Sequence, residues 1–120
     1  MGLGLSVEIT RDTPVAVRTT GEIDLCNVVE FSTALDEAFG VSPGGFVIDL
    51  TKVEYIDSAG IQAILAAYVK IWETKGRLAL VIGNDRIKTV LSVVHLEKLP
   101  GVYVYETMDE AISADLDSRA

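Results

Sequence analysis

"FVIDLTKVEYIDSAGIQAIL", residues 46–65, changes its hydrophobic period part-way along. It opens with FVIDL, a nearly continuous apolar run of the kind that forms a strand covered on at least one face. From Ala59 onward Ile61, Ile64, Leu65, Tyr68 and Trp72 recur at helical spacing. A strand and its loop therefore give way to a helix at Asp57 and Ser58. Gly60, with no side chain, permits close approach of the helix start to its neighbours. One strand–helix unit is enough to set the reading of the rest.

Downstream the unit repeats. Gly76 is predicted to end the helix, RLALVI gives a strand at 78–82, and Asn84 caps a helix with Ile87, Val90, Leu91 and Val94 inward. LPG breaks the chain before a strand at 102–105, VYVY. Thr107 and Glu110 form a capping box for a last short helix through Ala111 and Ile112. Upstream, Leu5, Val7 and Ile9, then Val15, Val17 and Thr19, alternate on either side of the turn RDTP, which predicts a hairpin over 5–20. A helix follows from the N-cap Asn27, with Glu30 completing a capping box, Val28, Phe31, Leu35, Ala38 and Phe39 inward, and Gly40 closing it. The reading is an α/β fold with about four helices. Its mixed β-sheet has an antiparallel N-terminal hairpin joined to parallel β-α-β units.

Residues 1–120 fit one domain, with a core over about 5–114 and an acidic tail expected to fray after Ala114. Hydrophobic residues make up 49% and charged residues 23%, so a real core can form. A net charge of -8 repels phosphate backbones and anionic lipid, which argues against a nucleic-acid ligand or membrane insertion. Cys26 is the only cysteine, so no internal disulfide forms and a reducing, cytoplasmic setting is expected. The start lacks the basic flank and apolar stretch of a signal peptide. Gly2 and Ser6 match a myristoylation pattern, which the strand alternation of Leu5, Val7 and Ile9 reduces to coincidence. No apolar run reaches the roughly 18 residues of a membrane helix.

Three chemistries could use Asp57 and Ser58. A serine nucleophile on a strand–helix turn takes the form G-x-S-x-G, but Ile56 stands in the place of the leading glycine. The one histidine, His95, is expected to lie far from Ser58 as a surface or capping residue. Phosphorylation of Asp49, in VIDLTKV, would need an acidic pair to hold magnesium, a later hydroxyl residue and a final lysine. ITRD, LVIGN and VYVYET supply none of these, and Asp49 reads as a structural carboxylate at a strand end. The third chemistry makes Ser58 a phosphoryl acceptor at a helix start, where unpaired N–H groups tolerate a phosphate. Local chemistry alone favours a plainer role, with Ser58 or Asp57 as N-cap. Tyr68 and Trp72 read as packing residues, and Tyr55 and Ile56 as either contact residues or loop packing. No phosphate-binding G-x-x-x-x-G-K-[ST] loop is present.

Taken together, FVIDLTKVEYIDSAGIQAIL, the upstream TTGEIDLCN and the downstream LALVIGNDRIKTVL resemble the STAS family, the domain of bacterial anti-sigma factor antagonists. The resemblance covers nearly the whole chain in order and implies a non-enzymatic protein; with no recognisable phosphate or metal motif in the sequence, no cofactor or metal is expected. It implies that the unphosphorylated form binds a GHKL-type serine-kinase anti-sigma factor and so frees a sigma factor for transcription. The kinase would inactivate the antagonist by phosphorylation, and a PP2C-type phosphatase would restore it. By position the acceptor is Ser58, within a D-S-x-G motif completed by Asp57 and Gly60. Ala59 stands where many members have a second serine, and Asp24 matches the acidic residue of the upstream motif. The partner surface implied is Asp24, Asp57, Ser58, Ala59 and Gly60. STAS domains also serve as non-switching docking subunits of transporters or sensory complexes, which is the alternative.

Overall fold

The computed structural model describes residues 4–119, with side chains described over 4–114. Strands β1 (Leu5–Thr10) and β2 (Ala16–Ile23) form the antiparallel hairpin. Then follow α1 (Val28–Val41), β3 (Val47–Ile56), α2 (Ser58–Glu73), β4 (Leu78–Val81), α3 (Asp85–Val93), β5 (Val102–Tyr105) and α4 (Met108–Arg119). The sheet runs β1-β2-β3-β4-β5, parallel from β2 onward, as the alternation and the strand–helix repeats predicted. On one face Val17, Ile48, Leu50 and Leu80 pack with Phe31 of α1, Ile64 and Ile71 of α2, and Ile87 and Leu91 of α3. On the other, Ala16, Val47 and Val81 meet Ala111 of α4. Among the described residues no helix is long and apolar enough to cross a membrane.

The central strand is where the structure departs most from expectation. β3 does not stop at Leu50; it continues through TKVEYI to Ile56. Arg18 to Thr20 of β2 lies opposite Asp49 to Lys52, and Gly21 to Glu22 opposite Val53 to Tyr55. Each step leaves one extra residue in β3, a bulge that turns the following side chains. The buried core-facing positions become Ile48, Leu50, Val53 and Ile56, while Lys52, Glu54 and Tyr55 face solvent. Strict alternation would have put Lys52 and Glu54 inside. Asp49 consequently lies within the strand, not at its end. It is 7% exposed. Thr51 donates to it from its amide (3.0 Å) and hydroxyl (2.7 Å), and Arg18 Nε lies 3.5 Å away. Its structural role holds; its predicted position does not.

Helix ends were also misplaced. α1 passes Gly40, because Ser42 N–H still donates to Ala38 O (2.8 Å) and no left-handed residue is required there. α2 ends at Glu73, and the left-handed position belongs to Lys75 (φ 60). Lys75 N–H donates to Trp72 O and Gly76 N–H to Ile71 O, both at 2.9 Å, the paired pattern of a Schellman end. Gly76 is small for another reason: a Cβ there would lie 2.4 Å from Gly44 O. Along α2 the buried stripe is Ile61, Ile64, Ala67 and Ile71, with Leu65 and Tyr68 at its margin and Trp72 turned outward. α3 stops at Val93. Val94 is exposed and Leu96 takes the inward place after a left-handed turn at His95. The last helix is capped by Thr107 as read, since Glu110 N–H donates to Thr107 Oγ1 (3.2 Å). The Glu110 half of the box differs: its Oε1 accepts from the Thr107 hydroxyl (3.2 Å), where a capping box uses the backbone N–H. The expected fraying beyond Ala114 falls where side chains lie outside the described residues.

Candidate functional site

Parallel pairing brings the C-terminal ends of β2 and β3 together, with Ile23 opposite Ile56. The two segments that leave these ends therefore meet. Asp57 N–H donates to Ile23 O (3.1 Å), anchoring the turn into α2. The carboxylate of Asp57 then works in two directions. Oδ1 accepts from Ala59 N (2.9 Å) and Gly60 N (3.3 Å), so Asp57 is the N-cap of α2. Oδ2 accepts from Leu25 N (3.2 Å), 32 residues away, in the loop between β2 and α1.

Ser58 is the first residue of α2 and is exposed. Its hydroxyl makes no hydrogen bond among the described residues. Two readings of the sequence are thereby separated: Asp57 caps, and Ser58 is left free. Ala59 is half-buried. Gly60 is buried, and a Cβ on it would sit 2.6 Å from Ile56 Cγ1 and 2.8 Å from Ile23 Cγ2. Glycine is what lets the helix start rest on the strand ends.

The loop 24–27 is tied by reciprocal bonds. Asp24 Oδ1 accepts from Cys26 N (2.9 Å) and Asn27 N (3.2 Å). Asn27 Oδ1 accepts from Asp24 N (2.9 Å), while its Nδ2 donates to Glu22 O (2.8 Å). Asn27 is at the predicted N-cap of α1, but its side chain makes no cap bond and the Asn27–Glu30 box does not form. The competing bonds to the loop claim it instead. This loop holds Leu25 76% exposed, and in the first turn of α1 Val29 is 72% exposed. Tyr55, near the end of β3 that leads to Ser58, is 48% exposed, whereas Ile56 is buried. The sequence reading omitted Leu25 and Val29. Their signal was there: Leu25 is an apolar residue in a loop, and Val29 lies off the inward stripe of α1. His95 follows α3, which returns toward the N-terminal ends of the strands, away from Ser58. Cys26 is exposed and unpaired by any disulfide.

The model of the STAS domain matches residues 5–111. The chain belongs to the STAS domain family. Among relatives of this STAS domain is the anti-sigma-B factor antagonist of Listeria monocytogenes, 30% identical over 100 residues, which cover 81% of this chain and 87% of that one. Among solved structures, an anti-sigma factor antagonist from Mycobacterium paratuberculosis superposes with a TM-score of 0.82 at 27% identity, over 95% of this chain and 96% of that one. The same fold occurs in SpoIIAA. Its unphosphorylated form gives 0.69 at 19% identity over 92% and 96% of the two chains. Its phosphorylated form, from Bacillus, gives 0.67 at 22% identity over 92% and 98%.

Proposed function

We propose that this STAS domain is an anti-sigma factor antagonist governed by phosphorylation of Ser58. Unphosphorylated, it binds a GHKL-type serine-kinase anti-sigma factor; the kinase phosphorylates Ser58 and ends the interaction, and a PP2C-type phosphatase reverses this. The observation that carries the reading is the free, exposed hydroxyl of Ser58 at the head of α2, beside the uncovered Leu25, Val29 and Tyr55. The relatives named as antagonists and the phosphorylated form of SpoIIAA support it. An acceptor needs exposure and no base of its own, because the kinase brings one. The domain then acts by binding and not by turnover.

The switch follows from charge. A phosphate adds roughly 1.5 to 2 negative charges next to Asp57. Facing a partner carboxylate about 5 Å away, each unit-charge pair repels by roughly 3 kcal/mol at an effective dielectric near 20. About 1.4 kcal/mol already means tenfold in affinity. Asp24, Asp57 and Ser58 form the polar part of the contact, Ala59 with Leu25, Val29 and Tyr55 its apolar part, and Gly60 supports both from below.

The test is calorimetric titration against the cognate kinase in ADP, with the phosphorylated residue located by mass spectrometry. Phosphorylation confined to Ser58 with at least tenfold weaker binding is the expected result. Equal affinity for the two forms would reject the switch in favour of a non-switching docking subunit.

A further inference from the structure

A five-stranded open sheet has two edges, and here they differ. β5 is four residues long, with the turn Leu96–Lys98 packed beside it. β1 has six residues, and among those described nothing pairs with its outer edge. Folded proteins guard such an edge with a proline, a lysine or a bulge, because free backbone groups recruit another strand. LSVEIT has no proline and no lysine, and its one charge is Glu8. Its pairing with β2 runs residue for residue from Leu5–Gly21 to Thr10–Ala16, without a bulge.

The two faces of this strand are distinct. Leu5, Val7 and Ile9 are half-buried against the core on the α1 side, while Ser6 and Glu8 are exposed on the other. α1 does not close over the edge. A groove of about 390 Å³ runs between helix and strand, walled by Val7 and Ile9 on one side and by Thr33 and Ala34 on the other. Arg11 and Glu37 also line it, and they are matched to each other at 3.2 Å.

We infer that β1 pairs with β1 of a second copy of this chain, antiparallel about a two-fold axis perpendicular to the sheet at Val7, so that the two sheets join. The strand is complementary to itself in that register. Val7 meets Val7 and Leu5 meets Ile9 on the core side, and Ser6 meets Glu8 on the other. Moving the axis to Glu8 sets two carboxylates face to face, which destabilises a pair. Moving it to Ser6 leaves Ile9 opposite no residue of β1. A two-fold contact uses one patch twice, so each pair off the axis occurs twice. The inference does not rest on the switch at Ser58.

Sedimentation equilibrium of the full chain up to about 1 mM should show reversible association from 12.9 kDa toward twice that mass. Each copy carries a net charge of -8. Association should therefore strengthen as salt rises from about 0.1 to about 1 M, where the screening length falls from roughly 10 Å to roughly 3 Å. Ser6→Glu sets a carboxylate opposite Glu8 of the other copy at two places and should weaken the dimer about tenfold. Ser6→Lys should strengthen it severalfold. The same two substitutions at Gln62, exposed on α2, should do neither. Hydrogen exchange should slow with rising concentration in β1 and not in β5. A chain that stays monomeric throughout would overturn the inference and leave the edge to a strand of another protein. So would a dimer indifferent to both Ser6 variants, or one whose β1 amides exchange alike in dilute and concentrated solution.

Discussion

Replacing Asp57 with alanine and with asparagine should give two different losses. Asp57→Ala removes the cap bonds from Ala59 N and Gly60 N and the bridge from Leu25 N. Loss of an N-cap costs about 1 kcal/mol, and one net hydrogen bond about another, so roughly 2 kcal/mol is expected. Asparagine caps a helix as well as aspartate does. Its Oδ1 can keep the α2 bonds, but its Nδ2 then meets Leu25 N–H, donor against donor. Asp57→Asn should therefore lose only the bridge, about 1 kcal/mol. For 120 residues the unfolding entropy is about 0.25 kcal/mol/K. The two variants should melt roughly 8 °C and 4 °C lower than the wild type. Urea unfolding gives the free energies, and hydrogen exchange at the Leu25 amide reads the bridge itself. Asparagine at wild-type stability, with Leu25 exchange unchanged, would refute the claim that Asp57 holds the loop to the helix.

Three further results are expected. Gly60→Ala should destabilise by about 1–3 kcal/mol in urea unfolding, because its Cβ meets Ile56 and Ile23 side chains at 2.6 and 2.8 Å. Ser58→Ala should bind the kinase without becoming inactivated and Ser58→Glu should bind it more weakly, both within about 0.5 kcal/mol of wild-type stability, as titration and urea unfolding would check. Leu25→Ala with Val29→Ala should cost about tenfold or more in partner affinity with the melting temperature almost unmoved, since both side chains are largely exposed.

Element order and sheet pairing were legible because they follow from period and turn chemistry, and these act locally. The hairpin, the strand–helix repeats and the Thr107 cap all belong to that class. β3 was cut short because its bulges break the alternation that identifies a strand. Only the pairing with β2 shows that Val53 and Ile56 face inward. Asp57 and Ser58 could be placed at a helix start, but not assigned their roles, since either residue type can cap. What decided it was the second use of Asp57, a bond to Leu25 that no spacing in the sequence announces. Asn27 failed as a cap for a like reason: its amide has better partners in Asp24 and Glu22. Exposed Leu25 and Val29 were passed over because an inward stripe invites attention to the residues it contains.

The capping arrangement also bears on how far a phosphate on Ser58 would disturb the domain. The sequence suggested a helix start with open N–H groups ready for the anion. Two of those groups, on Ala59 and Gly60, are already held by Asp57, and Asp57 N–H is bonded to Ile23 O. A phosphate would compete with a carboxylate for the same positive helix end. If it displaced Asp57 altogether, the loss is bounded by the cap and the bridge, about 2 kcal/mol, before any bonds the phosphate makes in return. Ordinary domains are stable by about 5–15 kcal/mol, so that loss leaves the fold standing. The part that would yield is the loop 24–27, which carries Leu25. A phosphorylated Ser58 would thus oppose a partner twice, by its own charge and by loosening the apolar contact that Asp57 keeps in place.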